Sequence, residues 1–305
     1  MRGHTATRFA VAGTRRARVS TRLDGKVALV TGAARGQGRS HAVRMAEQGA
    51  DIIAVDICDQ ITTVNYAMST PDDLQQTAKM VDATDSRVIA KIADVRSRDA
   101  LQAAIDDAVA QFGRLDIVVA NAGISPLGPE SPSVTWLNTV SVNLGGVINT
   151  LELSLPHLEA GASIVCIGSM AAFMPSFESA QAGPGAGGYG HSKRAVARLV
   201  NDLARHLAPK GIRVNAIHPG NVDTAMVHHD ELYRLFRPDL EKPVYDDVKD
   251  VFASLHAMPV DLLAPEDVTE AVLYLVSDAA RYVTGQQLRV EAGALLNSVP
   301  PGVPD

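Results

Sequence analysis

A chain of 305 residues is long enough for one large or two small domains. With 46% hydrophobic and 20% charged residues it has the composition of a globular protein, and its longest apolar runs, such as Ile52-Ile53-Ala54-Val55, fall far short of the roughly 20 residues a bilayer requires. The net charge of −6 is unevenly spread: residues 1–22 hold six arginines and no acid, so the remainder, with 22 basic and 34 acidic residues, carries −12 and would repel a nucleic-acid backbone.

Residues 1–22 read as a disordered basic extension, too poor in hydrophobic residues to order by itself. Its Arg- and Ser/Thr-rich, acid-free composition is also that of a transit peptide, whereas Phe9-Ala10-Val11-Ala12-Gly13 is too short for a secretory leader. From Lys26 onward, short runs rich in Val and Ile predict strands at Val27–Thr31, Asp51–Asp56, Val88–Ile92, Leu115–Ala120, Ser163–Ile167, Arg213–Ile217 and Gln287–Val290. They are mostly apolar at every position, as parallel strands covered on both faces should be. Between them lie helical patterns, such as Leu101-Ile105-Val109-Phe112 and Val196-Leu199-Val200-Leu203-Leu207. Alternating strands and helices joined by right-handed crossovers give a doubly wound α/β fold: one seven-stranded parallel sheet of the Rossmann type with helices on both faces. No repeat or long linker interrupts residues 23–299, which predicts a single domain. The two cysteines, Cys58 and Cys166, form neither a disulfide framework nor a zinc cage, fit a reducing cytoplasm, and are expected to pack as small apolar residues.

Thr31-Gly32-Ala33-Ala34-Arg35-Gly36-Gln37-Gly38 follows the first strand and opens the first helix. Glycines there permit a tight turn and bring a pyrophosphate close to the backbone N–H groups of a helix N-terminus. Asp56, 18 residues beyond Gly38, closes the second strand, where an acid accepts from the ribose hydroxyls and disfavours a 2′-phosphate. That predicts NAD rather than NADP, although Arg35 could greet a 2′-phosphate. A glycine turn without a nucleotide is the bland alternative.

Tyr189-Gly190-His191-Ser192-Lys193 places a tyrosine and a lysine four apart at the expected start of a helix, on one face. A nearby ammonium favours the phenolate and so would lower the Tyr189 pKa. Ser169 follows the fifth strand at the carboxyl edge of the sheet, where open α/β sheets place their ligands. Asn121-Ala122-Gly123 ends the fourth strand on that edge, and Asn143 lies on the next helix. Each feature has an ordinary reading: a chance spacing for the Tyr–Lys pair, a capped turn for Asn121.

Taken in order, TGAARGQG, Asp94-Val95, NAG, Asn143, Ser169, YGHSK and His218-Pro219-Gly220 resemble the short-chain dehydrogenase/reductases over nearly all of residues 24–297. The resemblance implies Tyr189 as acid/base, Lys193 lowering its pKa and binding the nicotinamide ribose, Ser169 orienting the substrate oxygen, and Asn143 supporting a water and proton path. It places Gly32, Arg35, Gly36, Gln37, Gly38, Asp56, Ile57, Asp94, Val95, Asn121, Ala122, Gly123, Pro219, Gly220 and Val222 around NAD, with Thr224 holding the carboxamide. No metal is implied, and a homotetramer is the family expectation.

A narrower resemblance rests on Ala54-Val55-Asp56-Ile57-Cys58, the insert through Ser69-Thr70-Pro71-Asp72-Asp73-Leu74, His256-Ala257-Met258-Pro259-Val260, and the stretch from Pro265-Glu266-Asp267 through Tyr282-Val283-Thr284-Gly285 to Glu291-Ala292-Gly293-Ala294. These are similar to the mycofactocin-coupled, carveol dehydrogenase-like enzymes, which hold NAD almost irreversibly and pass electrons to mycofactocin. The departures, at Gly190-His191-Ser192, Arg194 and Met226-Val227-His228-His229, bear on the substrate more than on the chemistry.

The function implied is NAD-dependent interconversion of a secondary alcohol and a ketone, on an apolar terpenoid- or steroid-like substrate. An epimerase or dehydratase with bound NAD, or a non-catalytic NAD-sensing regulator, are the rival readings. Residues 224–258 are expected to form a lid, with Met226, Val227, Leu232, Leu235 and Phe236 on one apolar face. His228-His229 read as solvated loop, His191 as facing away from the site, and Gly183-Pro184-Gly185-Ala186-Gly187-Gly188 as a mobile loop bulging outward on the substrate side.

Overall fold

Val27-Ala28-Leu29-Val30-Thr31 is apolar at four of five positions because alternate residues face two separate cores. Val27 and Leu29 pack into one, Ala28 and Val30 into the other. This is β1 (Val27–Thr31) of a computed structural model that describes residues 22–174 and 181–297. Residues 1–21 of the expected extension, and 298 and 299 at the expected end of the domain, lie outside the described residues.

The chain continues with α1 (Gly36–Glu47), β2 (Asp51–Asp56), α2 (Pro71–Asp82), β3 (Val88–Ile92), α3 (Arg98–Phe112), β4 (Leu115–Ala120) and α4 (Val134–Val140). A π-helical turn, Ser141–Gly145, joins α4 to α5 (Gly146–Ser154). Then follow β5 (Leu158–Ile167), α6 (Gly183–Leu207), β6 (Arg213–Pro219), α7 (Asp230–Phe236), α8 (Tyr245–Leu255), α9 (Pro265–Val276), β7 (Gln287–Val290) and α10 (Ala294–Asn297). The seven strands pair in parallel in the order β3-β2-β1-β4-β5-β6-β7. The strand order reverses between β1 and β4, and the crevice at that point is where such sheets bind ligands.

One face of the sheet is covered by α1, α2 and α9, through residues such as Met45, Leu74 and Val272. The other is covered by α3, α5 and α6, through Leu101, Ile105, Leu151, Val196 and Val200. All seven expected strands are present. β5 begins five residues early, at Leu158, because Leu158 pairs with Leu115 across a register irregularity. Its exposed Glu159-Ala160-Gly161 carries no apolar signal. β6 runs on to Pro219, which pairs with Val290.

The glycine run before Tyr189 departs from expectation. Gly183 to Gly188 are the first turns of α6, not a loop. A Cβ at Gly183 would overlap Gly128 O, one at Gly185 would overlap Pro126 O, and one at Gly188 would lie 2.8 Å from Trp136 O. These glycines bring α6 against the backbone that follows β4. Density of glycine here means proximity rather than freedom.

Candidate active site

The carboxyl ends of β1, β2, β4, β5 and β6 open on one cavity of about 370 Å³. Its walls include every residue expected from the sequence except Asn143. At the end of β1, Gly32 adopts φ +69, a conformation that L side chains rarely reach. A Cβ at Gly38 would overlap Gly32 O, so glycine is needed for α1 to meet the turn. The Asn121 amide holds the turn from beneath, donating to Thr31 O at 2.9 Å and Gly32 O at 3.3 Å. Thr31 Oγ1 in return accepts from the N–H groups of Asn121 and Ala122. Across the cavity, a Cβ at Gly36 would lie 3.1 Å from Thr224 Cγ2.

Asp56, 6% exposed, accepts from Ala34 N–H at 2.9 Å, Cys58 N–H at 3.2 Å and Ser69 Oγ at 2.6 Å. One carboxylate thus joins the glycine turn to the insert after β2. Arg35 reaches that insert from the other side, donating to Ala67 O at 2.6 Å. That bond uses one of the five N–H donors of the guanidinium, and Arg35 also lines the cavity. Asp94 is paired with Arg96 at 2.6 Å, and Val95 O accepts from the Asn149 amide at 2.9 Å.

Tyr189 and Lys193 stand one turn apart on α6. The Tyr189 hydroxyl is hydrogen-bonded to Ser169, and the Lys193 ammonium lies 5.5 Å from the centre of the Tyr189 ring. Lys193, 4% exposed, donates to Ile167 O at 2.8 Å. Burial raises the Tyr189 pKa above its ordinary value, and the Ser169 hydrogen bond pulls the other way. Burial also lowers that of Lys193 to about 8. The expected depression of Tyr189 by the lysine is not seen: the net shift is upward, and desolvation dominates the phenol in this geometry. Ser169 Oγ also accepts from Ala171 N–H at 3.2 Å.

Asn143 sits on the π-helical turn, a distortion that recurs at functional sites. Its Oδ1 accepts from Ile124 N–H and its Nδ2 donates to Ile124 O, both at 2.8 Å. The side chain braces the loop after β4 and stands behind the cavity wall rather than in it.

The other end of the cavity is apolar. Met226, Val227, Leu232, Leu235 and Phe236, the expected lid face, all line it. Tyr233, Val248 and Phe252 form a small core of their own behind that face. His229 is buried rather than solvated loop, whereas His228 is exposed, as expected. His228 bridges Asp223 Oδ1 and Tyr233 OH, each at 2.7 Å. His229 is 6% exposed and caps α7, and burial lowers its pKa to about 4. His191 is exposed, 5.5 Å from the Trp136 ring centre. Cys58 and Cys166 are both buried.

Sequence reasoning passed over Tyr66, Ser69, Ser125 and Met174, which also line the cavity. Tyr66 OH accepts from Ser125 N–H at 3.0 Å, and its ring lies 5.2 Å from that of His229, so the insert meets the lid there. Nothing in their local spacing marks these residues. Ser69 alone carried a signal, one position ahead of the Thr70 cap of α2.

A dinucleotide fits this arrangement. Besides the glycine cradle, Gln37 and Asn221 line the cavity, and their Oε1 and Nδ2 atoms are buried and without partners among the described residues. They offer an acceptor and a donor that the chain itself does not use.

Residues 32–294 match a family model described as enoyl-(acyl carrier protein) reductase. The chain is 45% identical over 279 residues to a protein of Mycolicibacterium smegmatis assigned by name to the short-chain type dehydrogenase/reductases, covering 90% of this chain and 99% of that one. It is 42% identical over 281 residues to a (−)-trans-carveol dehydrogenase of Rhodococcus erythropolis, with the same coverage. Among solved structures, a carveol dehydrogenase from Mycobacterium avium in complex with NAD superposes with a TM-score of 0.86 at 44% identity, over 90% of this chain and 99% of the other. The glycine turn, the Ser–Tyr–Lys arrangement and these likenesses extend along the same residues, and the chain belongs to the short-chain dehydrogenase/reductase family.

Proposed function

We propose that this oxidoreductase uses NAD to interconvert a secondary alcohol and a ketone. The observation that carries the reading is the hydrogen bond between Ser169 and Tyr189 at the cavity wall, with the Lys193 ammonium behind the ring. NAD, when bound, supplies the hydride acceptor or donor. Gly32, Gly36, Gly38, Arg35, Gln37, Asp56, Ile57, Asp94, Val95, Asn121 to Gly123, Pro219, Gly220, Val222 and Thr224 are the residues that would hold it. Asp56 selects NAD over NADP, because a carboxylate beside a 2′-phosphate is costly in a partly desolvated site.

Tyr189 takes the hydroxyl proton in oxidation and returns it in reduction. Ser169 holds the same substrate oxygen, and Lys193 supplies positive charge as the phenolate forms. The apolar lid face excludes water from that exchange and suits a terpenoid- or steroid-like alcohol. The relatives named carveol dehydrogenase support this substrate class, as does the apolar lining. Mycofactocin is the proposed electron acceptor, on the strength of Asp56-Ile57-Cys58 and the insert that follows. A cytoplasmic homotetramer is the proposed working form.

The test is direct. Denaturing the purified protein and analysing the supernatant by mass spectrometry should release NAD. A panel of secondary alcohols, carveol included, should then reduce an artificial electron acceptor. Release of NADP, or no turnover with any alcohol in the panel, would overturn the proposal.

A further inference from the structure

The motif His218-Pro219-Gly220 enters the site through its last two residues, yet its histidine is fully buried and faces Ser169. His218 Nδ1 lies 3.2 Å from Ser169 N and 3.1 Å from Ser169 O, so it could accept from the first or donate to the second. Its Nε2 is 2.7 Å from Gln287 Oε1 on β7. Gln287 Nε2 in turn donates to Ala197 O at 3.0 Å and Asn201 Oδ1 at 3.1 Å, both on α6, the helix that carries Tyr189 and Lys193.

This chain of contacts fixes a tautomer. Ala197 O can only accept, so the Gln287 amide nitrogen must face α6 and its oxygen must face His218. A carbonyl oxygen can only accept, so His218 Nε2 carries the proton. In the neutral ring Nδ1 is then bare and accepts from Ser169 N–H. The ring is kept neutral by burial first, with Lys193 on α6 and Arg289 on β7 as like charges acting in the same sense, while the contacts to Gln287 and Ser169 act against it. Gly168 makes the contact possible, since a Cβ there would overlap His218 Nδ1.

We propose that His218 is a positioning residue that holds Ser169 in register with Tyr189, in a tautomer dictated by Gln287 on the far side of the ring. The proposal rests on the reading of Ser169 and Tyr189 given above. His218 does not touch substrate; it sets the backbone from which the Ser169 hydroxyl projects.

The experiment uses the full chain with histidine labelled by ¹⁵N, alongside turnover of the best alcohol from the panel. In the wild type, the ¹⁵N spectrum should show His218 neutral and protonated at Nε2. Gln287→Leu removes the acceptor, so the proton should move to Nδ1, where it donates to Ser169 O and the Ser169 N–H contact is lost. kcat should then fall about tenfold while KM and NAD affinity stay near wild type. Gln287→Glu keeps an acceptor but adds a charge that raises the His218 pKa. Below that pKa the ring carries both protons and kcat should fall; as pH rises and Nδ1 deprotonates, activity should return. A wild-type ring protonated at Nδ1, or a Gln287→Leu variant whose tautomer changes while kcat does not, would overturn the inference. Ser169→Ala separates the two levels. If it leaves turnover intact, the reading of the site fails; if it removes turnover while the tautomer change is silent, only the role of His218 fails.

Discussion

The two ends of the cavity are built by different means. At the cofactor end, strands, a glycine turn and buried polar groups constrain one another. Asp56 alone engages Ala34, Cys58 and Ser69, and Asn121 holds two carbonyls of the turn. At the substrate end, the insert and the lid come from outside the sheet; they meet where Tyr66 packs against His229, and the lid has a small core of its own around Tyr233, Val248 and Phe252. A backbone held by many hydrogen bonds has little freedom to change without loss. A face of exchangeable apolar side chains can be altered with the fold intact. The cofactor end should therefore answer mutation in stability and binding, and the substrate end in KM.

The strongest test of that division falls on Tyr189, where the two ends meet. Tyr189→Phe leaves the ring in place and should lower kcat by ~10²-fold or more, with NAD affinity close to wild type by calorimetry. The same residue sets the pH dependence. Because burial raises the Tyr189 pKa, the base form needed for oxidation accumulates only at high pH. Alcohol oxidation should rise with pH through neutrality into the alkaline range, while ketone reduction, which needs the protonated phenol, should be flat at neutral pH. An acidic optimum for oxidation would show that another group titrates.

Next in size is Gly38→Ala. The added Cβ cannot coexist with Gly32 O, so β1 and α1 must part, at a cost of about 1–3 kcal/mol. Both Tm and NAD binding should fall. An unchanged Tm would mean that the turn is less constrained than its contacts imply. Asp56→Ala should weaken NAD, relax discrimination against NADP, and lower Tm as well, since Ala34 N–H and Ser69 Oγ lose a buried acceptor worth about 1–3 kcal/mol. Competition binding with both dinucleotides checks the first effect. A wild type that prefers NADP would assign selectivity to Arg35 instead.

The smallest effects belong to the lid. Leu235→Asp should raise KM for apolar alcohols with little change in Tm. Phe236→Asp should do both, because Phe236 also packs edge-to-face on Phe252 at 5.1 Å. Hydrogen exchange offers a test without substrate. If amides 224–236 are as protected as those of the strand segment 163–167, the segment is core and the contrast between the two ends disappears.

Much of the cofactor end is legible in the sequence because backbone demands leave fixed signatures there. Glycine at positions 32 and 38, an acid closing β2 and an unbroken apolar β1 each have few substitutes. The substrate end is only partly legible. The lid face shows as a spacing of apolar residues, but Tyr66 and Ser125 reach the cavity through tertiary contacts that no local pattern encodes. The glycine run from Gly183 misleads for a related reason. Glycine that frees a chain and glycine that lets two backbones touch look alike until the neighbour, here the segment after β4, is in place. His229 misleads similarly, since its burial depends on Tyr66 arriving from another element.

The early start of α6 has an electrostatic consequence. An α-helix concentrates partial positive charge at its first turn, and the benefit to a nearby anion fades beyond that turn. With the helix beginning at Gly183, that charge falls on Gly183 to Ala186 and faces the backbone after β4. Tyr189 lies in the second turn. The helix dipole contributes little to a negative phenol oxygen, whose stabilisation must come from side chains, the Ser169 hydrogen bond among them.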